Sequence, residues 1–294
     1  VKTAKMPEIQ IPDLVGTGTG LMGGTGLGGE FLDMPTIGEI SVFGSNVSVG
    51  NDMEVTFYSL ARRRNGNVLH NMTYQEYFEK LRNFVADGWK KTHLTKYYRS
   101  PKTLYATTIF IPITSSTLGP AAFGESMDFG YCWVALYEGK LVHKDGITFR
   151  FWGASDDVLT VSVDGEVVLA ANFYGTGAEL AAFTIGDKWR SSAPDNRMYR
   201  LNNQRMTGGD WITLEPGVAK DFKAIVGEGP GGEFAAGLLV EVKGEDYPLN
   251  NYGTPIFPIF AMEEPSWELQ DSILLNMIDG EANVTNVTTI FKDY

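Results

Sequence analysis

In the stretch GASDDVLTVSVDGEVVLAANF, residues 153–173, two carboxylates, Asp156 and Asp157, stand side by side where an apolar strand should begin. Neighbouring side chains on an extended chain point to opposite faces. Adjacent carboxylates also repel, so a strand start tolerates the pair only where a cation or several amides accept the charge. Calcium suits such oxygens, since it takes about six to eight oxygen ligands, with carboxylates offered from irregular backbone. For both neighbours to face one ion the backbone must bend there, as a cis peptide would allow. The plainer alternative is a turn in which Ser155 and Asp156 accept local amides while Asp157 faces water. The residues alone leave both open.

Other chemistry is weakly signalled. GTGLMG (18–23) and GTGLGG (24–29) match the G-x-G-x-x-G pattern. That pattern binds a pyrophosphate only with a strand before the glycines and a helix after them. Here prolines precede and LDMP follows, so glycine-rich composition accounts for both matches. The sequence contains no G-x-S-x-G, H-E-x-x-H, C-x-x-C or P-loop pattern. His70, His93 and His143 lie far apart, without metal-ligand spacing. Cys132, the sole cysteine, sits between Tyr131 and Trp133 in a strand, which favours a buried, inert thiol. With 36 acids some glycosidase-like carboxylate pair is always available, which argues for none in particular. A non-catalytic protein is expected.

Composition narrows the class of partner. The net charge is −12, from 36 acidic and 24 basic residues. Nucleic acid and anionic membranes reward clustered Lys and Arg, so neither is an expected partner. The basic runs Arg62-Arg63-Arg64 and Lys90-Lys91 are too short to reverse this. No apolar run approaches the ~18 residues of a membrane span. One cysteine permits no internal disulfide and leaves the redox compartment open. The chain begins with Val1 rather than Met, so we read it as a processed or truncated product whose export signal, if any, has gone.

The elements that must position the aspartates read as mainly β. Of 294 residues 34 are glycine, above the usual ~7%, and Phe, Tyr, Val and Thr are plentiful. Residues 1–35 form an extended Gly-rich tail, in which EIQIPDL could add a strand to another sheet. Residues 36–100 are expected to form a small α+β unit, with a hairpin pair, an Asn65-Gly66 turn and one helix over 73–91. Thr73 and Glu76 make a capping box, and Tyr74, Tyr77, Phe78, Leu81, Phe84, Val85 and Trp89 fall on one helical stripe that reads as core. Residues 101–262 read as short strands separated by turns such as Asp164-Gly165, the pattern of a β-sandwich. Residues 263–294 form a C-terminal extension with a short helix behind Ser266.

The order of these parts resembles a known family. FRFW, then Ser155-Asp156-Asp157, VLTVSV, Asp164-Gly165 and EVVLA follow the plan of the protective-antigen-type β-sandwich, the PA-fourteen domain. GDWITLEPGVAKDFKAIVGEGPGGEFAAGLLVEV resembles its closing part, so the likeness spans about residues 101–245. The resemblance implies an antiparallel β-sandwich and a binding or scaffolding role. In the family's lectins the paired aspartates hold a calcium ion that also coordinates sugar hydroxyls. Asp156 and Asp157 carry over as calcium ligands, with Asn172, Asn202 and Asn203 as candidates to complete the shell. The tail and the C-terminal extension lie outside the likeness and would suit contacts between subunits. The expectation is therefore a structural subunit of a cell-surface or extracellular assembly, a filament, tube or layer, joined to copies of itself. The alternative is a calcium-dependent carbohydrate-binding adhesin.

Overall fold

The computed structural model describes residues 40–69, 71–172, 189–193, 199–201 and 204–292. The strands, in chain order, begin with β1 (Ile40–Ser41), β2 (Gly44–Ser45), β3 (Met53–Arg63), β4 (Tyr97–Ala106) and β5 (Phe110–Ser115). They continue with β6 (Trp133–Leu141), β7 (Ile147–Asp156), β8 (Val158–Val163), β9 (Glu166–Ala170) and β10 (Arg200–Leu201). The last are β11 (Gln204–Arg205), β12 (Thr207–Gly208), β13 (Ile212–Leu214), β14 (Lys220–Glu228) and β15 (Glu233–Val242). Helices are α1 (Tyr74–Ala86), α2 (Leu118–Ala122) and α3 (Trp267–Leu275).

These strands build an antiparallel sandwich. One sheet has eight strands in the order β1-β2-β4-β3-β6-β14-β8-β9. The other has the order β12-β7-β15-β5, with β13 also pairing β7. Period-two alternation sorts the side chains: on β14, Phe222, Ala224 and Val226 enter the core between the sheets, while Ile225 joins the cluster under α1. A third cluster, with Trp152, Leu239, Phe257 and Ile273, lies on the outer face of the smaller sheet beneath α3.

Helix α1 forms for two reasons of unequal size. Its capping box is present, the Thr73 hydroxyl accepting from the Glu76 amide and the Glu76 carboxylate accepting from the Thr73 amide. Such a cap contributes ~1 kcal/mol. Burial of Tyr77, Phe78, Leu81, Phe84 and Val85 against the larger sheet contributes more, at ~1.5–3 kcal/mol for each large side chain. The helix ends at Ala86, not at 91. Gly88 and Trp89 take left-handed backbone, φ 71° and 60°, and a separate 3-10 turn covers Lys91–His93. Trp89 still reaches the core from beyond the helix, whereas Tyr74 stays 38% exposed and departs from the buried stripe.

The line expected near residue 100 is crossed by the larger sheet. β3 lies between β4 and β6, pairing Glu54 with Glu138 and Ser59 with Trp133. The strands of residues 53–63 and 97–106 thus sit inside the sandwich. The Asp164-Gly165 turn has both residues at positive φ, 50° and 85°, as a two-residue hairpin requires. The helix behind Ser266 is present, with the Ser266 hydroxyl accepting from the Leu269 amide. Among the described residues, no helix is long and apolar enough to cross a membrane. The Gly-rich tail and both G-x-G-x-x-G matches lie outside the described residues, as does His70.

Candidate metal centre

The Asp pair stands where the chain changes sheets. β7, in the smaller sheet, ends at Asp156, and β8, in the larger, begins at Val158. A second crossing runs alongside: β14 of the larger sheet ends at Glu228, and Gly229 to Gly232 lead into β15 of the smaller. The corners are joined by backbone and side chain. The Asp157 amide donates to the Gly227 carbonyl at 3.3 Å, and the Gly229 amide donates to Asp157 Oδ2 at 2.8 Å. The Asp156–Asp157 peptide bond is cis.

This arrangement gathers three carboxylates. Oxygens of Asp156, Asp157 and Glu228 all lie within 4.8 Å of one another. Asp157 and Glu228 are 2% and 1% exposed, and Asp156 is partly exposed. Among the described residues, none of the three forms an ion pair with a Lys, Arg or His. Buried charge of one sign with no partner is strongly unfavourable, and such groups take up protons instead. Accordingly, burial and then the charges of Asp157 and Asp156 push Glu228 up to about 10. The aspartates, which share a hydrogen bond, are also raised, chiefly by burial; for Asp157 the Gly229 amide pulls the other way.

The surroundings leave polar atoms of the corner unmatched. Glu228 Oε2 is buried without a hydrogen-bond partner, as is Ser155 Oγ. Gly229 and Gly231 keep the corner open: a Cβ at Gly229 would meet Asp157 Oδ2 and the Tyr74 ring, both at 2.9 Å. One at Gly231 would overlap Glu228 Oε1. Tyr74, at the start of α1, therefore borders the cluster. Its phenol is raised by burial and then by Asp157, Glu228 and Asp156. The donors are hard carboxylate oxygens, with one buried oxygen unclaimed by the protein. That set fits calcium, the remaining positions of its shell falling to water, backbone carbonyls or a ligand.

The plain-turn alternative fails on two points. Asp157 does not face water, and Ser155 Oγ accepts no local amide. The sequence reading did not find Glu228, which lies 71 residues beyond Asp157 and meets it only through the β14–β8 pairing. Its one signal was an acid between Gly227 and Gly229 at the end of an apolar strand. Asn172 is buried two residues past β9, while Asn202 and Asn203 lie outside the described residues. Cys132 is fully buried, and burial, Glu228 and Asp157 push its thiol up to about 12, so it is inert as expected. His93 pairs with Asp87 on the surface.

No protein-family model and no curated protein matches the chain. Its structural neighbours include PA14 domains. The PA14 domain of the antifreeze protein MpAFP aligns over 73% of this chain and 89% of its own, at 11% identity and a TM-score of 0.39. The PA14 sugar-binding domain of an RTX adhesin aligns over 67% and 93%, at 15% identity and a TM-score of 0.38. The A domain of epithelial adhesin 6 from Candida glabrata, in complex with Galβ1-3GlcNAc, aligns over 72% and 89%, at 12% identity and a TM-score of 0.35. At these values the likeness carries no argument, and the functional reading rests on the site.

Proposed function

We propose that the chain is a non-catalytic, calcium-dependent carbohydrate-binding module of a cell-surface adhesin. The observation that carries this reading is the Asp156–Asp157–Glu228 cluster, three clustered carboxylates with no counter-charge from the described residues. Asp156, Asp157 and Glu228 would hold the ion. Bound calcium supplies open coordination positions that vicinal hydroxyls of a sugar can fill. Around it the chain supplies the rest. The Gly229 amide orients Asp157, Gly231 places no Cβ against Glu228 Oε1, and the half-exposed Tyr74 ring offers an apolar face beside the cluster. Sugar-binding neighbours of the same fold accord with this reading. The expectation of a self-assembling structural subunit leans on residues 1–35, which lie outside the described residues.

The test is a glycan array probed with calcium and after chelation. Binding that requires calcium and disappears in Asp157→Asn supports the reading. An array without a calcium-dependent hit, at a protein concentration that saturates the ion site, overturns it.

A further inference from the structure

A second charged feature has the opposite sign. Arg63, Arg64, Lys80 and Lys96 line one cleft of about 600 Å3 with Tyr97, and no acidic side chain lines it. The cations come from three elements. Arg63 and Arg64 sit at the end of β3, where the Arg63 amide donates to the Asn67 carbonyl and the Gly66 amide to the Arg63 carbonyl, both at 2.8 Å. Lys80 lies on α1, and Lys96 directly precedes β4. Arg62, the first of the run, is occupied elsewhere, donating to the Gly66 and Asp128 carbonyls and lying over the Phe129 ring.

Among the described residues, none of the four cleft cations forms an ion pair with an acid. Lys96 lies over the Tyr97 ring at 5.2 Å, and water screens the exposed cations, yet four of one sign lining one cleft in a chain of net charge −12 favour an anion there. Tyr97 adds a donor. Its ring is buried and it lines the cleft, and its phenol has no hydrogen-bond partner among the described residues. That hydroxyl is absent from the buried, unmatched oxygens, so it reaches solvent and can donate to a ligand. An oxyanion offers that donor an acceptor and offers the guanidinium groups paired oxygens.

We infer that this cleft binds a multiply charged oxyanion ligand, one carrying sulfate or phosphate esters. Its volume lies within the ~300–1,000 Å3 of small-ligand sites, enough for an anionic sugar or a short polyphosphate and too little for a nucleic-acid duplex. The site is separate from the carboxylate cluster, does not need calcium, and stands whether or not the lectin reading does.

Isothermal titration of the whole chain in a chelating buffer, at low and at high salt, tests this with three probes: a sulfated heparin-derived tetrasaccharide, its desulfated counterpart and inorganic tripolyphosphate. The inference expects binding of the sulfated sugar, of tripolyphosphate or of both, at least tenfold tighter than of the desulfated sugar. Which of the two binds identifies the source of the anion. High salt should weaken binding at least tenfold. Arg64→Glu and Lys96→Glu, exposed substitutions that leave the core alone, should each weaken it about tenfold. Tyr97→Phe should weaken it a few-fold while keeping the ring's packing. Equal affinity for sulfated and desulfated sugar without tripolyphosphate binding overturns the inference, as does affinity unchanged in both charge-reversal variants.

Discussion

The two charged sites of this protein answer like-charge crowding in opposite ways. In the basic cleft the cations ride on a turn, a helix face and a pre-strand residue, and Arg63, Arg64 and Lys96 are solvent-exposed. In the acidic corner two of the three carboxylates are buried by strand ends, and burial raises all three, Glu228 to about 10, so without a cation the corner holds protons above the ordinary carboxylate range. An exposed cluster therefore advertises charge to solvent, while a buried one conceals it until an ion displaces the protons.

The sharpest way to break this comparison is to neutralise the corner. Asp157→Asn or Glu228→Gln should weaken calcium binding by about 100-fold, as loss of a charged ligand does. Measured by calorimetry after chelation, the same variants should melt higher than the parent near pH 8. Each replaces a carboxyl whose folded state must hold a proton above the ordinary carboxylate range with a neutral amide of the same shape. Arg64→Glu at the other site should leave calcium affinity unchanged.

Proton linkage gives the next effect. In the metal-free chain these carboxyls keep protons that the unfolded chain, with values near 3.8 and 4.5, has already lost. The folded state binds more protons, so their contribution is fully present below the unfolded values and falls as pH rises towards the folded ones, about 10 for Glu228. The melting temperature of chelated protein should decline from pH 5 to pH 8, by ~2–4 °C for each kcal/mol lost. Calcium should reverse the decline, and Glu228→Gln should flatten it. Gly231→Ala should act more narrowly. Its Cβ would crowd Glu228 Oε1, so calcium affinity should fall about tenfold, with a stability change under ~1.5 kcal/mol. Smallest of all, Thr73→Ala removes the cap of α1 and should cost ~1 kcal/mol, read by denaturant titration, without touching either ligand site directly.

What could be read in the sequence followed the range of the interactions. The capping box at Thr73 and the Asn-Gly and Asp-Gly turns are local, and their residue types declare them, whereas the Asp156–Asp157 pair stands out in sequence with its bend and a plain turn both open. The membership of β3 in the larger sheet depends on pairing with β6, some 75 to 85 residues away, and nothing within residues 53–63 announces it. Glu228 was hidden for the same reason, because the two sheet crossings meet only after β14 pairs with β8. The end of α1 escaped notice because Trp89 keeps helical spacing in sequence and reaches the same core by a left-handed turn. The Arg62-Arg63-Arg64 run read as too short to matter. Folding brings Lys80 and Lys96 to two of its members and diverts the third.

The central claim is that the corner of Asp156, Asp157 and Glu228 is a calcium site held protonated until the ion arrives. The direct test is calorimetric titration of calcium into chelator-stripped protein at pH 7.5, in two buffers of different ionisation enthalpy. The account predicts one ion per chain with release of protons, both lost in Glu228→Gln. Absence of binding at millimolar calcium, or binding that releases no protons and survives Glu228→Gln, would contradict it.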